Sequence, residues 1–234
     1  MKLFALLVAV LLSSVLVSSV PAMAAENKPT APAKFDVASI RFEQNATDGD
    51  VEAVFDAIGN DDGLAELSIT APDGRVIANF TSPEKSGMGI REFHFESPEP
   101  TDVAALKKAF PEGEYTFTAT TMAATQLQSK VKLSHTLPPT TSFVSPKADA
   151  HNVAAKGLKI TWAPVKGVAG YTLELDPSKS SAHLEVKLPA SITSFAVPEG
   201  LLVPGGECQL GIGTVSSAGN ASVIETTFTT AAGK

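Results

Sequence analysis

Apolar and polar positions alternate in short runs along most of the chain, and turn-forming residues separate the runs. Val37-Ala38-Ser39-Ile40-Arg41-Phe42 is the first run. Val51 to Ile58 is the second, ending at Gly59-Asn60-Asp61-Asp62-Gly63. Leu67-Ser68-Ile69 and Val76 to Phe80 flank Pro72-Asp73-Gly74, where glycine supplies the positive φ of a tight hairpin. Ile90 to Phe95, Tyr115 to Thr120 and Gln126 to His135 continue the pattern. A period of two predicts strands that bury one face. Strands recurring this often predict an all-β sandwich. One segment breaks the period. Asp102-Val103-Ala104-Ala105-Leu106-Lys107-Lys108-Ala109-Phe110 has the composition of one short helix, with Thr101 as its cap, Asp102 at the positive end and Pro111 as its stop.

The second half repeats the alternation more sharply. Leu158, Ile160 and Trp162 share one face of a strand, so Trp162 is predicted to be buried. Tyr171 to Leu175, Leu184 to Leu188 and Phe195-Ala196-Val197 are further strands. Cys208, Leu210 and Ile212 point to one face, and Gln209, Gly211 and Gly213 to the other. Two glycines and a glutamine cannot make a core, so the cysteine face is the inner one and the thiol is predicted to be buried and inert. The turn Ala218-Gly219-Asn220 leads into a last strand ending near Phe228. Between the halves, Leu137-Pro138-Pro139-Thr140-Thr141 holds adjacent prolines through which no strand can run.

Ile160-x-Trp162-x-Pro164 with Tyr171-x-Leu173, then Leu202-x-Pro204-Gly205 and Gly219-Asn220, resembles a fibronectin type III domain over roughly residues 138–230. The resemblance implies a core tryptophan on the second strand and a leucine packed under the loop between the fifth and sixth strands. It implies a tyrosine opening the sixth strand, where this chain has Cys208. No tyrosine corner carries over to this half. The first half holds an echo of that device in Phe110-Pro111-Glu112-Gly113-Glu114-Tyr115-Thr116-Phe117, and is immunoglobulin-like only in this loose sense. The fold class expected is therefore all-β: two consecutive antiparallel sandwiches, Ig-like over 35–136 and fibronectin type III-like over 138–230, with one short helix in the first.

The N-terminus differs from all of this. Met1-Lys2, the apolar run Leu3 to Val20, and Pro21-Ala22-Met23-Ala24 match a signal peptide over 1–24 with cleavage after Ala24. Residues 25–34 read as a flexible lead-in rich in Pro and Ala. The protein is expected to be exported, to the periplasm, the cell surface or the medium, with no membrane span after signal removal.

Composition narrows the function. With 44% hydrophobic and 18% charged residues, the chain is too apolar to be disordered. A single cysteine excludes an intramolecular disulfide scaffold. Loss of Lys2 with the leader leaves 17 basic against 25 acidic residues, which argues against nucleic acid as a partner. No nucleophile motif, phosphate-cradling loop or zinc motif occurs. His94, His135, His151 and His183 stand singly, and His94 is expected to face outward from a strand. Asp48, Asp50, Glu52, Asp56, Asp61 and Asp62 cluster in sequence, and turn chemistry explains them better than a calcium site. Sequons begin at Asn45, Asn79 and Asn220.

No catalytic, cofactor-binding or metal residue is assigned, and no cofactor or metal is expected. The reading is an exported, non-enzymatic binding or spacer protein. Its partner would be another extracytoplasmic protein or a surface or envelope component, met by loops such as 163–169 and 216–221. The alternative is a polysaccharide-binding accessory module of an extracellular hydrolase system. That reading is disfavoured, because it needs exposed aromatic platforms and the one Trp and two Tyr fall at core positions.

Overall fold

The computed structural model describes residues 31–82, 87–99 and 102–233. The expected leader with its cleavage site, and the expected cap Thr101, lie outside them. Pro32–Lys234 forms one compact unit.

The first half contributes β1 (Val37–Asn45), β2 (Asp50–Ile58), β3 (Leu64–Thr70), β4 (Val76–Thr81), β5 (Glu92–Glu96), α1 (Val103–Ala109), β6 (Gly113–Thr121) and β7 (Gln126–Leu133). The second contributes β8 (Phe143–Ser145), β9 (Ala150–Val153), β10 (Lys159–Trp162), β11 (Gly170–Pro177), β12 (Leu184–Pro189), β13 (Ser194–Ala196), β14 (Glu207–Val215) and β15 (Ala221–Thr230). The fold is all-β. In the first half β1-β2-β5 faces β4-β3-β6-β7; in the second β8-β10-β13 faces β12-β11-β14-β15. Setting aside β9, the two halves have the same strand order. The fourth strand sits beside the third, not in the first sheet as in a constant-type immunoglobulin domain.

Alternation places the cores. Ile40, Phe42, Phe55, Ile69, Tyr115 and Phe117 are among the buried residues of the first; Ile160, Trp162, Tyr171, Leu173, Leu210 and Phe228 are among those of the second. Trp162 is 2% exposed and packs edge-on against Tyr171, ring centroids 5.5 Å apart. Cys208 is 1% exposed beside Leu210 and Ile212, and burial pushes its thiol up to about 11. Gly211 and Gly213 point to the other face yet are buried as well. The reason is close packing on that face: a Cβ at Gly213 would collide with the hydroxyl of its cross-strand partner Thr172.

The local devices follow from the residues. The β3–β4 hairpin turns at Gly74, with φ +84°. Asp102 itself caps α1, its carboxylate accepting from the amides of Ala104 and Ala105. The Tyr115 hydroxyl donates to the Pro111 carbonyl at 3.0 Å, which makes the corner real in the first half. In the second half a different tyrosine reaches a loop: the Val165 amide donates to the Tyr171 hydroxyl at 2.8 Å. No strand crosses the paired prolines, because β7 ends at Leu133 and β8 begins at Phe143.

The two sandwiches share one sheet. β15 pairs in parallel with β1, with Glu43 beside Ala221, Gln44 beside Ser222 and Asn45 beside Val223. The β12-β11-β14-β15 sheet of the second half therefore continues through this seam into β1-β2-β5 of the first.

Candidate functional site: the seam between the sandwiches

Asn220 fixes the seam. It is 1% exposed, and its amide bonds entirely to the first half. The Oδ1 accepts from the Phe42 amide at 2.9 Å, and the Nδ2 donates to the carbonyls of Ser134 at 2.7 Å and Thr136 at 2.9 Å. Further along, the Ala46 amide donates to Val223 O at 2.8 Å and the Glu225 amide to the Thr47 hydroxyl at 2.8 Å. His135 stacks on Phe42, centroids 4.8 Å apart, and bonds to the Phe110 carbonyl. Of the 216–221 turn expected to be a contact loop, Asn220 and Ala221 are buried in the seam and only Ser217 and Ala218 are exposed. A buried, fully bonded amide also bars glycan attachment at the Asn220 sequon in the folded chain.

On the outer face of the shared sheet the seam forms the bottom of a cleft of about 570 Å³. Gly219 and Ala221 lie at its centre. Ser39, Arg41, Asp56 and His94 line the bank from the first half; Thr172, Glu174, Glu185 and Lys187 line the other. Strand register builds the first bank: Ser39 stands opposite Asp56 across β1–β2, and Asp56 opposite His94 across β2–β5. The three form one transverse row. His94 faces outward, as its strand position implies, yet it is not alone. Its Nδ1 lies 2.7 Å from Asp56 Oδ1 and its Nε2 3.0 Å from Glu96. Asp56 Oδ2 accepts from Ser39 Oγ at 2.8 Å and pairs with Arg41 at 2.6 Å.

These contacts set the protonation states. Hydrogen bonding to Asp56 and then to Glu96 raises the His94 pKa. Burial pushes Asp56 up, but bonds from His94, Ser39 and Arg41 outweigh it and hold the carboxyl below its ordinary range. Nucleophilic chemistry needs the hydroxyl bonded to the imidazole. Here Ser39 and His94 both bond to Asp56, so the row is a charge-paired surface rather than a nucleophile with its base. Arg41 was not singled out by pattern, and Asp56 only as one of the clustered acids. The strand neighbours must be known before their row appears.

Below the cleft, Glu43, Asp50, Glu52, Glu99, Glu174 and Glu225 surround a smaller pocket of about 130 Å³. Burial, then Glu96, Glu43, Glu99 and Asp50, push Glu52 up to about 7. Burial, then Glu43, also raises Glu174. The remaining acids of the sequence cluster disperse: Asp48 bonds to Asn45, Asp61 pairs with Arg91, and Asp62 bonds to Asn60. Among the described residues no group of three His, Cys, Asp or Glu is placed to hold a metal ion.

No family model and no curated protein matches the chain. Solved structures do. The fibronectin(III)-like modules of Clostridium thermocellum CbhA are 12% identical, with 88% of this chain and 92% of theirs covered and a TM-score of 0.34. A two-domain fibronectin type III segment of chicken tenascin is 15% identical, covering 83% of this chain and 98% of its own, at 0.30. The FN1–FN3 domains of chicken CNTN1 are 12% identical, covering 86% and 69%, at 0.31. These three structures are fibronectin type III modules. At such TM-scores the fold rests on the strand order and pairing described above. Among the described residues no helix is long and apolar enough to cross a membrane.

Proposed function

We propose that this protein is exported and works outside the cytoplasm as a non-enzymatic binding or spacer protein, through protein–protein or envelope and surface contacts. The observation that carries this reading is the seam. It joins two sandwiches into one sheet and opens a cleft on one bank of which Arg41, Asp56, His94 and Glu96 are bonded to one another, as in a contact surface. The leader-like Leu3 to Val20 run and Ala22-Met23-Ala24 support export. The polysaccharide reading loses support, because Trp162, Tyr115 and Tyr171 are all at most 2% exposed and offer no ring to a sugar.

The test is retention of an envelope component by the immobilised protein purified from the exported fraction, whose first residue should be Ala25. Ala169 is exposed and lines the cleft. Ala169→Trp should therefore abolish retention while leaving the fold intact. Equal retention by both proteins, or none by either, would remove the cleft from the account; an N-terminus at Met1 would remove export.

A further inference from the structure

The flank of the first sandwich away from the seam is open. β5 is the last strand of the shared sheet and β4 the last of the four-stranded sheet. At one end Phe80 and Phe93 close the gap edge-on, centroids 4.7 Å apart. Toward the end of β5 the two strands part around an apolar groove of about 540 Å³, with α1 as one wall. Phe95, Ile77 and Phe110 line it and are only half-buried, and Pro98, also on its lining, is exposed.

Two features at this place are independent of each other. One is the groove. The other is the free edge of β5, which among the described strands pairs only with β2. A free edge presents backbone donors and acceptors to an incoming chain. The side chains of β5 select what that chain can be. Phe93 and Phe95 point inward, while Glu92, His94 and Glu96 point outward. A second copy added antiparallel and centred on His94 would set Glu92 against Glu96, and like charges directly opposite destabilise a sheet. A strand with cations at those positions meets the opposite condition. Glu92 and Glu99, both exposed, form no ion pair among the described residues.

We propose that the β5 edge takes an extended segment of a partner protein as an added strand, with apolar side chains seated in the groove and lysine or arginine alternating between them. Main-chain bonds to β5 would supply the ladder, and the two side-chain rows the selectivity. The inference goes beyond the binding reading above; His94 and Glu96 border both the β5 edge and the seam cleft, but Ala109 and Glu92 do not line the cleft, so either can fail alone.

The experiment titrates a labelled peptide of alternating lysine and valine with the full chain, followed by fluorescence anisotropy. Ala109 is exposed on the groove wall, so Ala109→Trp fills the groove from outside the core. Ala109→Trp and Glu92→Lys should each weaken binding about tenfold, and amide exchange in β5 should slow when the peptide binds. A glutamate–valine peptide should not bind. Undiminished binding to both variants would overturn the proposal, as would unchanged exchange in β5. So would self-association of the peptide-free protein that either variant abolishes, because the edge would then serve a second copy. Glu92 is on the surface, so Glu92→Lys keeps the test decisive if Ala109→Trp folds poorly.

Discussion

At the residue scale the structure turns on polar groups that are buried and fully bonded. Tyr115 is 0% exposed, and burial pushes its hydroxyl up to about 12, so it stays protonated and donates to Pro111. The pieces of this corner lie within Phe110 to Phe117, so they were legible in the sequence. Tyr115→Phe keeps the ring and its volume and leaves only the Pro111 carbonyl without a donor. It should cost about 1 kcal/mol in urea unfolding with an unchanged m-value. A loss within error of zero would mean that the hydroxyl bond contributes nothing. Asn220 shows the opposite case. Its residue type suggested a turn, and its partner Phe42 is 178 positions away. Nothing local announces a bond of that separation.

At the element scale, register decides which charges meet. The β1–β2 pairing sets Glu43 directly opposite Glu52, and Glu96 and Glu99 add to the same field. Folded Glu52 holds a proton up to about 7, whereas the unfolded group releases it near 4.5. Between those values the folded state binds more protons, so stability falls as pH rises through the window. His94 has the same sign: its raised pKa contributes stability below the ordinary value of 6.5 that is lost as pH rises through the folded value. Glu52→Gln should therefore raise the melting temperature clearly at pH 8 and little at pH 5. Equal shifts at both pH values would show that Glu52 ionises normally. Alternation sufficed to find most strands and the buried face of Cys208. It missed β8 and β9, which are only three and four residues long and carry too few alternations to form a pattern. It placed Gly211 and Gly213 on the outer face but not the Thr172 side chain that covers Gly213. The charged row Ser39, Asp56 and His94 needed the order of three strands, which alternation does not contain.

At the scale of the whole molecule, two sandwiches with the same strand order are joined edge to edge. The sequence carried the class, but the parallel pairing of β1 with β15 joins segments far apart in the chain and has no signature in either strand. The candidate cleft has banks from both halves and depends on that join. The most direct test is site-resolved amide hydrogen exchange on the intact protein. The Phe42 amide bonds to Asn220 Oδ1 and the Ala46 amide to Val223 O, so both face the seam rather than β2. If the seam is part of the folded unit, these two amides open with free energies close to those of the core strands β2 and β14. In Asn220→Ala the Phe42 amide loses that protection first. Rapid exchange of Phe42 and Ala46 in the wild type, while β2 and β14 stay protected, would show two sandwiches tethered by a linker and would contradict the account.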